Sequence, residues 1–196
     1  MNIHADNPSQ KREDILRTAL SLFNQYGFNV VGIDRIISES KVAKMTFYRH
    51  FPSKMTLIEA CLTRQFENLQ RVVAVALLPV DPDQPLEQIK AIFFSYVEFS
   101  QSEDFNGCLF NRAMVEVYKQ HPTVSQYVHQ YRKWITEQIK QRLIAYNVKS
   151  PDTITNIILY VIEGILAARG VTYTSNNDFE NMWNCIERTI LFKNFN

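Results

Sequence analysis

An all-α fold of about nine helices is what this sequence predicts, and three observations carry it. Apolar residues recur at helical spacing along nearly the whole chain. Five glycines in 196 residues are too few for the tight turns of a barrel or sandwich. No stretch alternates convincingly with the period of a strand. With 46% hydrophobic and 12% aromatic residues the chain can bury a large core.

The elements follow in order. Ile15, Leu16, Ala19, Leu20, Leu22, Phe23 and Tyr26 form one helical stripe, and Gly27 supplies the C-terminal stop. A short helix over 33–40 turns Ile33, Ile36 and Ile37 inward, and a third is expected over 43–50. Pro52 stops it, and Ser53 caps a long helix from Lys54 to about Leu78. Residues 79–85 carry three prolines and cannot be helical, so they read as a linker. Further helices are expected over 86–101, from 106–107 to about Gln120, over 124–146, from Pro151, and over about 178–192. The division expected is a helix-turn-helix domain over 1–53 and a helical domain over 54–196.

Thr46-Phe47-Tyr48-Arg49-His50-Phe51-Pro52-Ser53-Lys54 is the informative stretch. Phe47 and Phe51 suit a core, whereas Arg49, His50 and Lys54 suit an anionic surface. A short helix that packs on one side and faces DNA on the other satisfies both. Residues 1–64 hold nine Lys/Arg against six Asp/Glu, a net +3 on a chain whose total is +1, so the body is mildly acidic. At the N-terminal end of a recognition helix, Lys44, Met45 and Thr46 reach base edges. Tyr48, Arg49, His50 and Lys54 are placed for phosphates, which set affinity and register. Arg35 is a further candidate.

These segments resemble the TetR family of transcriptional repressors. The family's Ile-Leu pair, Leu-Phe pair and glycine correspond to Ile15-Leu16, Leu22-Phe23 and Gly27. Ile36 and the run Val42 through Lys54 match its second helix and recognition segment. The resemblance spans about the first 60 residues and implies backbone contacts for Tyr48, His50 and Lys54. Two positions depart from the pattern. Lys41 stands where the turn usually has glycine, and so is expected in a left-handed conformation. Ala43 replaces the usual capping serine.

The resemblance also implies a small-molecule effector, apolar or aromatic, in a pocket of the body. Candidate lining residues are Phe66, Phe93, Tyr96, Phe99, Phe110, Met114, Tyr118, Tyr127, Tyr131 and Trp134, with Glu98 or Glu116 for orientation. Aromatics at this spacing equally suit a core. A homodimer is implied too, through Ile158, Val161, Ile162, Ile165, Trp183, Ile186 and Ile190, with Gly164, Ala167, Ala168 and Gly170 allowing close approach. The function expected is a repressor released from a palindromic operator by its effector. Alternatives are a thiol-based sensor, with Cys108 in a helix's first turn, and an effector-free activator.

Other classes are disfavoured. Cys61, Cys108 and Cys185 are scattered, forming no disulfide framework or metal spacing. His4, His50, His121 and His129 suggest neither metal nor catalysis, so no cofactor and no enzyme are expected. The polar first ten residues and the absence of a ~20-residue apolar run point to a cytoplasmic protein with no membrane partner.

Overall fold

The computed structural model describes residues 8–167 and 175–192, and among these it is all-α. The helices are α1 (Pro8–Tyr26), α2 (Ile33–Ser40), α3 (Lys44–His50), α4 (Lys54–Leu77), α5 (Pro85–Gln101), α6 (Leu109–Glu116), α7 (Ser125–Ala145), α8 (Pro151–Ala167) and α9 (Asn176–Phe192). No described helix is long and apolar enough to cross a membrane.

Local chemistry sets most boundaries. Gly27, at φ +88°, ends α1 with its N–H donating to Phe23 O. Ser53 and Thr56 cap α4 reciprocally: the Thr56 N–H donates to Ser53 Oγ and the Ser53 N–H to Thr56 Oγ1, each at 3.1 Å. Ser175 and Asp178 do the same for α9. Asn147, at φ +62°, takes the left-handed place after α7, and the Val148 N–H closes back onto Leu143 O.

The sixth helix is shorter than its sequence suggests. It stops at Glu116 rather than near Gln120, because the Val117 and Tyr118 N–H groups both turn onto Ala113 O. His121, extended ahead of Pro122, then prevents helix from resuming until a 3-10 turn at Pro122–Val124 leads into α7.

The chain forms two compact units. The first contains the described residues through Glu67 together with Cys108–Val128. Its core is built from Ile15, Ala19, Phe23, Phe28, Ile36, Phe47, Leu57 and Ala113, with α1 packed on α2 and α3. Besides residues up to 53, this unit therefore takes in the first turns of α4 and all of α6. The second contains 68–107 and the described residues from His129 onward, with α5 packed on α8 and α9 around Ile92, Phe93, Ile158, Ile162 and Trp183.

That core corrects the expected dimer stripe. Ile158, Ile162, Ile165, Trp183, Ile186 and Ile190 are buried within the chain itself, and Val161 is half-buried. An apolar stripe buries against the nearest apolar partner, and α5 provides one. The faces left outward are Ile157, Tyr160, Gly164 and Ala167 on α8, and Met182, Cys185, Leu191 and Phe192 on α9. Ala168 and Gly170 lie outside the described residues.

Candidate nucleic-acid interface

The recognition segment divides cleanly by helical phase. Phe47 is fully buried and Phe51 nearly so, their rings 6.2 Å apart, and the Tyr48 ring meets Phe47 edge-on at 5.3 Å. Lys44, Met45, Tyr48 and Arg49 fall one helical turn apart in pairs and are all exposed, Met45 at 87%. Thr46 and His50 lie half-buried at the edges of that face. One face of α3 is thus anchored while the other offers cations, a phenol and a thioether.

The turn that presents it has the predicted weaknesses. Lys41 adopts φ 56° and ψ 36°, the left-handed conformation, and its N–H donates to Ser38 O at 3.3 Å. Ala43 occupies the N-cap of α3 without a side-chain hydrogen bond. Replacing Lys41 by glycine removes a backbone cost of about 1–2 kcal/mol, partly offset by the greater freedom of glycine when unfolded. Serine at 43 supplies a cap worth about 1 kcal/mol. Each substitution is expected to raise Tm in a thermal melt, and the double variant to raise it further; an unchanged Tm in the double variant would contradict the strain assigned here.

Several candidate cations already have partners. Lys44 Nζ lies 3.3 Å from Asp34 Oδ1 with both groups exposed, a pair worth little in water and easily exchanged for phosphate. Arg35 donates from Nε to Glu39 Oε1 at 2.7 Å and its guanidinium sits 4.1 Å from the Tyr26 ring centre, so it is held more firmly. His50 Nε2 is shielded and has no hydrogen-bond partner. Burial, with Arg49 and Arg12 nearby, holds the His50 imidazole below its ordinary pKa, which keeps the ring neutral at physiological pH. Lys54 is half-buried, and burial lowers its pKa while the Glu116 carboxylate opposes that shift. It lines a cleft of about 80 Å³ with Phe28, Asn29, Met55, Ile58, Glu116, Val117, Gln120 and His121. Lys54 and His50 are accordingly less available to a phosphate than Lys44, Tyr48 and Arg49.

Sequence reasoning missed Arg12 and Arg112, and gave Glu116 a place in the effector pocket instead. Arg12 sits 5.2 Å over the Phe51 ring, bringing a cation from α1 to the end of α3. Arg112 and Glu116 on α6 reach back to the end of α1 and the turn after it. Their i, i+4 spacing was legible, but their targets lie nearly ninety positions away in the chain.

Of the candidate effector residues, Phe66, Phe110, Met114, Tyr118 and Tyr127 fall in the first unit and the others in the second; Phe93, Tyr96, Phe110 and Tyr131 are buried, Phe66, Phe99, Met114, Tyr127 and Trp134 half-buried, and Tyr118 exposed. None of them lines the Lys54 cleft or the open depression formed by 83–87 and 145–147. Glu98 is exposed, and Glu116 is engaged as described. Cys108 is the N-cap residue of α6 with extended backbone, one position ahead of the first turn expected for it, and is half-buried. Cys61 is buried, and burial pushes its thiol well above the ordinary range, which disfavours the reactive thiolate.

A buried-anchor, exposed-cation α3 following α2 across a tight turn defines a helix-turn-helix protein. Residues 15–61 match the pattern described as "Bacterial regulatory proteins, tetR family". Over these residues, the first two helices and recognition segment among them, the chain is similar to the TetR family. Over 90 residues it is 33% identical to the HTH-type transcriptional activator FasR of Mycolicibacterium smegmatis, taking in 45% of this chain and 41% of that protein. Over 173 residues it is 25% identical to the HTH-type transcriptional regulator YerO of Bacillus subtilis, taking in 86% of this chain and 56% of that one. The chain thus spans about half the length of these curated relatives. A solved TetR-family transcriptional regulator from Streptomyces coelicolor superposes with a TM-score of 0.83 at 28% identity, over 94% of this chain and 96% of that one. A TetR regulator from Chloroflexus aurantiacus shares the fold, with a TM-score of 0.79 at 19% identity.

Proposed function

We propose that this protein is a sequence-specific DNA-binding transcriptional regulator, a homodimeric repressor released from a palindromic operator by a small molecule. The exposed face of α3 is the observation that carries the reading. Thr46, Met45 and Lys44 stand at the helix end that enters a major groove, where each side chain has a base-edge partner. Tyr48 and Arg49, one turn on, take phosphates. The family match falls on these same helices.

Dimerisation supplies two such faces for half-sites about one DNA turn apart. The outward faces of α8 and α9, with Tyr160 71% and Phe192 73% exposed, are the surface proposed for it in place of the buried stripe. The proposed effector is apolar or aromatic and binds in the helical body. Its binding and that of DNA must oppose each other, since each shifts the protein toward a different shape. The protein acts in the cytoplasm, where its DNA is. Repressors and an activator both occur among the relatives, so the sign of regulation is a separate measurement.

The test is an operator selected by the wild-type protein from a random-sequence DNA pool, then an electrophoretic shift with it and with DNA flanking the chain's own coding region. Thr46→Ala is expected to lose roughly tenfold in affinity and to relax sequence choice, as a lost base contact should. Tyr48→Ala should weaken binding to all sequences alike. Wild-type affinity in both variants would reject the assignment of this face to DNA.

A further inference from the structure

Glu116 sits where three elements of the first unit meet. Its Oε2 accepts the Asn29 N–H at 2.9 Å, in the turn between α1 and α2. Its carboxylate occupies the space that a side chain at position 27 would need: a Cβ on Gly27 would lie 2.7 Å from Oε1 and 2.9 Å from Oε2. Its charge also acts on the half-buried ammonium of Lys54 at the start of α4. One turn earlier on α6, Arg112 donates from one guanidinium nitrogen to Phe23 O at 3.0 Å and Asn24 O at 3.1 Å. Arg112 Nε and Glu116 Oε1 are 3.7 Å apart, so the two side chains brace each other.

The chemistry of these contacts is complementary. The last carbonyls of α1 lack donors inside the helix, Phe23 O accepting the Gly27 N–H from just beyond it, and the negative end of the helix dipole collects there. A guanidinium answers both needs at once. The N–H groups of the following turn need an acceptor, and a carboxylate provides a charge-assisted one. Glycine at 27 is required twice over, by its positive φ and by the carboxylate beside it.

We propose that Arg112 and Glu116 are positioning residues for DNA binding, a latch by which α6 fixes the α1–α2 turn and so the attitude of the recognition helix. This rests on the DNA-binding reading above. Neither side chain belongs to the exposed face of α3, so the latch sets how well that face is presented without meeting DNA. It gives α6 a defined role in the first unit: a shift of its last turn breaks the Asn29 bond and frees the Gly27 turn together.

Four variants test it: Glu116→Ala, Glu116→Gln, Arg112→Ala and Arg112→Lys. In the DNA-free protein, hydrogen exchange at the Gly27 and Asn29 amides is measured. With the selected operator, affinity is measured as a function of salt. The alanine variants are expected to exchange about tenfold faster at Asn29 and to bind about tenfold more weakly, with the slope of log K against log salt unchanged because no phosphate contact is lost. Glu116→Gln keeps an acceptor and should recover part of the affinity, and Arg112→Lys, unable to span two carbonyls, less. If the alanine variants fail to fold, the two conservative variants carry the test in the same order. Wild-type exchange and affinity in the variants would overturn the latch. A reduced salt slope would overturn it in another way, by showing direct phosphate contact. Faster exchange in a protein whose wild type selects no operator would instead bring down the DNA-binding reading, and the positioning role with it.

Discussion

Phe47→Ala is expected to destabilise the first unit by about 3–5 kcal/mol and to abolish operator binding with it. The ring is fully buried, at the inner side of α3, and packs against Phe51 and the edge of Tyr48. Truncation leaves a cavity at the point where a seven-residue helix is held to its neighbours. So short a helix is not stable by itself, so its tertiary contacts supply its stability. The weak turn at Lys41 and the uncapped Ala43 leave it little to fall back on. Measured by denaturant titration, the loss is a large share of the ~5–15 kcal/mol typical of a folded domain. Phe47→Leu, which roughly keeps volume, should cost less than about 1.5 kcal/mol. A cost below about 1 kcal/mol for the alanine variant would show that the ring does not anchor the helix.

Trp183→Ala is expected to have a comparable effect on the second unit, about 3–5 kcal/mol. The indole is 1% exposed and its ring centre lies 5.8 Å from that of Phe93, where α5 and α9 pack. Its Nε1–H has no hydrogen-bond partner among the described residues. A buried donor left unpaired costs about 1–3 kcal/mol, so part of the indole's packing gain is cancelled in the native protein. Trp183→Phe removes that donor while keeping an aromatic ring. Its expected cost is therefore small, within about 1.5 kcal/mol of wild type, despite the lost volume. Equal losses for the phenylalanine and alanine variants would indicate that the N–H is satisfied after all.

Much of this was legible in the sequence because it is local. Gly27, Ser53 and Pro52 act on residues within four positions, and the structure places helix ends where they stand. The left-handed Lys41 and the uncapped Ala43 were equally readable, since turn chemistry depends on the residue at the turn. So was the split of α3 into an anchored and an exposed face, which follows from helical period alone.

What stayed hidden was partner choice. The stripe through Ile158, Ile162, Trp183 and Ile190 announced burial, but its period is the same whether a second copy or α5 covers it. The early end of α6 came from two amides turning onto one carbonyl, a feature no single residue marks.

By itself, then, the sequence determined the all-α class, the helix-turn-helix and the residues that α3 turns outward, because each depends on periodicity and on neighbours a few positions away. Only the tertiary structure decided that α6 belongs with the first three helices, that Lys54 shares a cleft with Glu116, and that Arg112 and Glu116 close the end of α1. Those facts join residues about sixty to ninety positions apart, and their energies depend on distance in space, which a linear pattern does not encode.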